Sequence, residues 1–160
     1  MDMLALYGST GCLSAVTLAA GTTTTITTTG AMVYAIDGKA YTTAALTNQA
    51  HPTTDANTGA AFVGIPIGYG AVLVYGLNTS KALVCAQGPL VALDSSYNFT
   101  VAPQFPAIPQ GFCPIGYMTI KAGSGSSTWT AGTSNQASAT GITYARQDVA
   151  LGLPARLQIA

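Results

Sequence analysis

The apolar positions along this chain read as strands punctuated by Gly, Pro and Asn turns. The clearest unit is AMVYAIDGKAYTTAA, where Asp37 and Gly38 supply the two positive-φ positions of a type I′ turn between directly flanking strands. A two-residue turn sets the register: Ile36 faces Lys39, Tyr34 faces Tyr41, and Met32 faces Thr43, leaving Val33, Ala35, Ala40 and Thr42 on the other face. Upstream, GTTTTITTTG is a run of β-branched residues that crowds a helix at χ1 but packs well on a pleated surface. AVLVYGL and KALVCAQG, joined by Asn78, Thr79 and Ser80, read as a tight hairpin whose strands are apolar on both faces, as inside two packed layers. GPLVAL near Val91 reads as a further core strand. IGYMTIKA sets Met118 and Ile120 on one face against Tyr117, Thr119 and Lys121 on the other. The expected strands are 24–29, 31–36, 39–43, 71–77, 81–86, 97–101, 115–121 and 142–146. They predict an all-β protein, an antiparallel β-sandwich or jelly-roll-like barrel with long polar loops.

Between these units the pattern breaks in three ways. Residues 47–59 contain no apolar side chain larger than Ala and predict a long exposed loop that serves as a contact element. Pro103, Pro106 and Pro109 lack the donor a ladder needs, so APQFPAIPQGF predicts an extended strip with Phe105 and Ile108 docked on the body. Residues 123–141 are small and polar around Trp129, too poor in apolar groups to order alone, and are expected to order against a neighbouring subunit. At the start, residues 1–20 predict either an arm lying on a neighbour or a short helix around Leu13 to Ala19, ahead of a single β-rich domain over 21–160. Leu157 with Ile159 suggest a short edge strand at the end.

Composition strengthens the β reading: Glu is absent, and charged residues make up 6% of the chain, against roughly a quarter in ordinary domains. Thr, Ser, Asn, Gln, Gly and Ala must therefore cover most of the surface. The formal net charge is +0, and Lys39, Lys81, Lys121, Arg146 and Arg156 are scattered, so there is no field to gather a phosphate backbone and nucleic acid is not an expected partner. No apolar run reaches the ~20 residues that cross a membrane. Asp2 and the break at Gly8 to Gly11 argue against a signal peptide. An odd set of cysteines, Cys12, Cys85 and Cys113, is read most simply as three buried thiols in a reducing compartment; the alternative is one disulfide and one free thiol after secretion.

Candidate chemistry is sparse. His51 is the single histidine and sits in the polar loop, where a solvent or contact role is expected; a hydrolase would need Cys85 or Cys113 brought beside it. The five acids are isolated Asp residues, with Asp55 and Asn57 among the oxygens of the 47–59 loop. No nucleotide, metal or paired-carboxylate pattern is present, so no cofactor and no enzymatic activity are expected. Trp129, His51, Asp55, Asn57, Tyr34 and Tyr41 remain as interface candidates, with sheet packing as the plainer reading of the tyrosines and a cap on its own core as that of Trp129.

AIDGKAYTTAA, HPTTDANTGAAF, GPLVALD, APQFPAIPQGFCPIGYMTIKAG and GITYARQDVALGLPARLQIA resemble a family of small virion structural proteins of tailed bacteriophages. The resemblance implies a capsid decoration protein or head-attached fibre that assembles in the host-cell cytoplasm, contacts the major capsid protein or other virion subunits, and forms a homo-oligomer, with a trimer expected. A receptor- or glycan-binding module of a tail fibre or surface appendage is the alternative.

Overall fold

The computed structural model describes residues 9–149 and Leu153; the strand expected at Leu157 and Ile159 lies outside the described residues. The described chain contains strands and turns with no helix: β1 Gly11–Cys12, β2 Leu18–Ala20, β3 Thr25–Thr28, β4 Met32–Ile36, β5 Lys39–Thr43, β6 Gln49–Ala50, β7 Tyr69–Asn78, β8 Leu83–Gln87, β9 Val91–Ala92, β10 Phe112–Ala122 and β11 Ile142–Asp148. All pairings are antiparallel. One sheet runs β11-β10-β7-β8 with β9 added beside β7, and two smaller sheets, β1-β4-β5 and β2-β3-β6, supply the opposing layer. These three sheets form a sandwich-like arrangement and do not close into a barrel among the described residues.

The hairpin at Asp37 and Gly38 forms in the expected register, Ile36 to Lys39 through Met32 to Thr43. Its turn residues take φ of 50° and 77°, as a type I′ turn requires. The main core lies between the layers, where Ile26, Met32, Tyr34 and Ile36 meet Leu73, Tyr75, Leu77, Met118 and Ile120. Burying each large apolar side chain contributes about 1.5–3 kcal/mol, so this seam is the main source of stability.

β10 shows how the layers share one strand. Cys113 and Ile115 face the main core, and after a bulge between Pro114 and Gly116 so do Met118, Ile120 and Ala122. The extra residue shifts the alternation from odd to even positions. It also accommodates Pro114, which cannot donate to a regular ladder. On the sheet's other face Val72, Val74, Phe112 and Tyr117 form a second cluster, covered in part by Phe105 and Ile108 of the proline strip. Phe105 meets the Tyr117 ring edge to face at 5.0 Å. That strip docks as its prolines predict.

Four expectations are corrected. Residues 13–19 form no helix: β1 pairs with β4 and β2 with β3, so the described part of the N-terminal segment belongs to the body. No strand forms over 97–101, because Asp94 Oδ1 accepts from Ser96 N at 2.8 Å and Asn98 N at 2.9 Å. These local bonds close a turn, with Tyr97 at φ 60°, and leave only a bridge from Phe99 to Leu93. The 47–59 segment contains β6, which pairs with β3, and it carries two buried side chains, His51 and Asp55. Residues 123–141 order on their own chain: Trp129 exchanges backbone bonds with Ile65 at 2.7 and 3.0 Å, and Gln136 N donates to Thr23 O at 2.7 Å. Both polar segments are poor in large apolar residues, so backbone pairing to neighbouring loops adds to the order that the buried His51 and Trp129 rings supply.

Candidate functional site

Six side chains were singled out above, and the fold divides them. Trp129 is 1% exposed, its indole N–H donates to Asn135 O at 2.9 Å, and its ring meets Tyr144 edge on at 6.3 Å. It is therefore a core residue of its own chain. Asp55 is buried as the organiser of a turn: Oδ1 accepts from Asn57 N at 2.9 Å and Oδ2 from the Thr58 hydroxyl at 3.4 Å. Asn57 is exposed on that turn. Tyr34 and Tyr41 stack across the hairpin at 5.3 Å and 17°. Tyr34 is buried and donates to Asn78 O at 3.0 Å, while Tyr41 is half-buried with Lys39 Nζ 5.5 Å from its ring.

His51 departs furthest from expectation. It is 5% exposed, with Phe62 and Tyr75 packed against its ring. Burial lowers its pKa from the usual 6.5, with the Pro52 carbonyl pulling the other way. Nδ1 lies 2.6 Å from Pro52 O; a carbonyl only accepts, so Nδ1 carries a proton. Nε2 lies 3.1 Å from the Tyr75 hydroxyl, which reaches Gln136 Oε1 at 3.4 Å. A phenol has one proton to give. In the imidazolium form both ring nitrogens donate, and the Tyr75 hydroxyl donates its hydrogen bond to Gln136 Oε1. In the neutral form Tyr75 donates to Nε2, and the Gln136 amide turns its NH2 toward Tyr75, which provides a partner for a Gln136 Nε2 that otherwise has none. Arg146 closes the cluster: its guanidinium donates to the Gln136 backbone carbonyl and lies 5.4 Å from the Tyr144 ring, and burial lowers its pKa.

This cluster makes stability depend on pH. Because the folded pKa of His51 is lowered, the unfolded chain binds the extra proton first. The neutral-state stability is complete above the ordinary histidine value and is lost as pH falls below about 6.5. The urea midpoint should hold steady from pH 8 to 7 and then decline, with a slope of at most about 1.4 kcal/mol per pH unit from one proton. In His51→Gln the part of that decline between about pH 7 and 6, the ordinary histidine range, should vanish. An unchanged slope in the variant would assign the titration elsewhere.

The cysteines are all free and buried. Burial pushes the Cys85 thiol well up, with the Asp55 carboxylate adding to it. Cys113 is pushed up to about 12 by burial and then by Cys12. Cys85 does lie opposite Tyr75, whose hydroxyl contacts His51, yet its thiol stays protonated at neutral pH and lacks the thiolate that nucleophilic attack needs. Among the described residues no group of three His, Cys, Asp or Glu side chains is placed to hold a metal ion, and no helix is long and apolar enough to cross a membrane.

No family model, curated protein or solved structure matches this chain.

Sequence reading missed Gln136, Arg146 and Asp148. Asp148 reaches across the sandwich to accept from Leu18 N at 2.8 Å. For Arg146 and Asp148 the one signal was scarcity: in a chain with so few charges, a carboxylate or guanidinium within a strand marks a backbone group needing a partner. The outer surface instead carries polar small residues and a few exposed apolar side chains, among them Val63, Ile67, Tyr69 and Val101. A shallow cleft of about 260 Å³ beside Trp129 is lined by Ser127, Thr128, Ser134 and Asn135, but the indole is enclosed beneath it.

Proposed function

We propose that the protein is a non-enzymatic structural component of a tailed-bacteriophage particle, a capsid decoration or cement protein or a head-attached fibre, assembled in the host cytoplasm onto the major capsid protein or other virion subunits. One observation carries the reading. His51, Asp55, Cys85 and Trp129, the residue types that would carry chemistry or sugar stacking, are enclosed and bonded within their own chain, while the exterior is charge-poor. Such a surface recognises a partner by shape and backbone-like polar contacts. The glycan-binding alternative would use an exposed aromatic platform, for which Tyr69, 42% exposed, is the exposed ring among the described residues.

Quantitative mass spectrometry of purified particles from cells expressing the gene should find the chain in many copies per particle. Because few charges are available, attachment should survive about 1 M salt, where the screening length shrinks to ~3 Å. Recovery of the chain only in the particle-free lysate, or release at high salt, would contradict the proposal. Retention on immobilised cell-surface glycan in place of particles would favour the alternative.

A further inference from the structure

Strand β5 is an edge of the sheet β1-β4-β5. The register decides which of its backbone groups face outward. In β4, the Val33 carbonyl accepts from Leu13 N at 2.8 Å and its N–H donates to Ser14 Oγ at 2.8 Å, so the Val33 backbone turns toward β1. Its cross-strand partner is Thr42, and the pair Ala35 and Ala40 shares the same phase. Both members of such a pair point their backbone groups away from each other. The N–H and C=O of Ala40 and Thr42 therefore face outward, both residues are exposed, and among the described residues no hydrogen bond reaches those groups. The outer strand β8 of the large sheet differs, since Ala56 N donates to Cys85 O at 2.8 Å.

Natural edges are commonly blunted by proline, a bulge or several charges. β5 reads KAYTT, pairs with β4 without a register shift, and carries one charge, Lys39, at its turn end. We propose that β5 pairs antiparallel with β5 of a second copy, about a two-fold axis through Tyr41. The strand is self-complementary in that arrangement alone. Ala40 opposes Thr42 of the second copy, so all four outward groups on each strand find partners. Tyr41 meets its own counterpart at a non-hydrogen-bonded position, where side chains approach most closely. Since Tyr41 already stacks on Tyr34 at 5.3 Å, the two hairpins join into a row of four tyrosine rings and the half-exposed Tyr41 becomes covered. Lys39 opposes the neutral Thr43, whereas parallel pairing would set the two lysines side by side.

The contact is isologous and closes at two copies, so it does not generate the three-fold arrangement expected from the family resemblance. It also stands independently of the virion reading. One strand pair covers less than the roughly 1,000 Å² of a stable interface, so the dimer is weak in solution and gains strength where copies are held in an array.

Sedimentation of the full chain from micromolar to about 1 mM, the weak end of specific association, should follow monomers passing into dimers. Two variants test the register: Ala40→Lys with Thr42→Lys, and Ala40→Glu with Thr42→Glu. All four substitutions are on exposed positions of the face away from Tyr41, and circular dichroism checks that the fold is kept. Each variant alone should remain monomeric at every concentration, and an equimolar mixture should recover the dimer. A wild-type monomer at 1 mM, a wild-type trimer, same-sign variants that still dimerise, or a mixture that stays monomeric would each overturn the proposal.

Discussion

Replacing Trp129 with Ala is expected to destabilise the isolated chain by about 3–5 kcal/mol, the range for removing a large aromatic from a core. The indole is 1% exposed, packs edge on against Tyr144, and holds Asn135 O through its ring N–H. Tyr144 also donates to Asn135 O, at 2.7 Å, so both aromatic groups pin the same carbonyl of the otherwise polar 123–141 segment. Removing Trp129 opens a cavity and loosens that segment together. Typical domains are stable by only 5–15 kcal/mol, so a large share of the population should unfold at modest urea concentration. Trp129→Phe keeps the aromatic contact and loses the hydrogen bond, and should fall between the two. A variant that associates less while the monomer keeps its urea midpoint would show that Trp129 acts at an interface after all.

Gly76→Ala should have the next largest effect, about 1–3 kcal/mol or more from overpacking. A Cβ at this position of β7 would lie 2.2 Å from Phe112 Cε1 and 2.5 Å from Cys113 O. The ring is buried in the cluster on the sheet's outer face, and the carbonyl belongs to the neighbouring strand β10. Neither can yield without disturbing the pairing of the two central strands. Phe112→Leu should relieve the ring clash but leave the carbonyl clash, so the double variant should lose less stability than the sum of the singles. Strict additivity in a urea-denaturation cycle would mean that the ring is not what excludes a side chain there.

The site was less legible than the fold, and His51 and Trp129 show why. Both sit in segments whose local composition is polar, so a window of neighbours predicts exposure. Their burial comes from residues distant in sequence: Tyr75 and Phe62 around His51, Ile65 and Tyr144 around Trp129. Asp94 illustrates the converse failure, where the strand expected over 97–101 was overridden by two side-chain-to-backbone bonds that a period cannot register.

What the sequence determined by itself was whatever depends on near neighbours. The type I′ turn at Asp37 and Gly38 set the β4–β5 register, β-branched runs set strand over helix, and three prolines set the covering strip. The tertiary structure alone decided which polar groups went inside, how a bulge at Pro114 shifts β10 from one parity to the other, and that two polar segments order on their own chain. Local conformational preference acts over a few residues and can be read in order along the chain. Burial and hydrogen-bond satisfaction depend on which strands become neighbours in space, and in a sandwich of antiparallel sheets those neighbours are far apart in sequence.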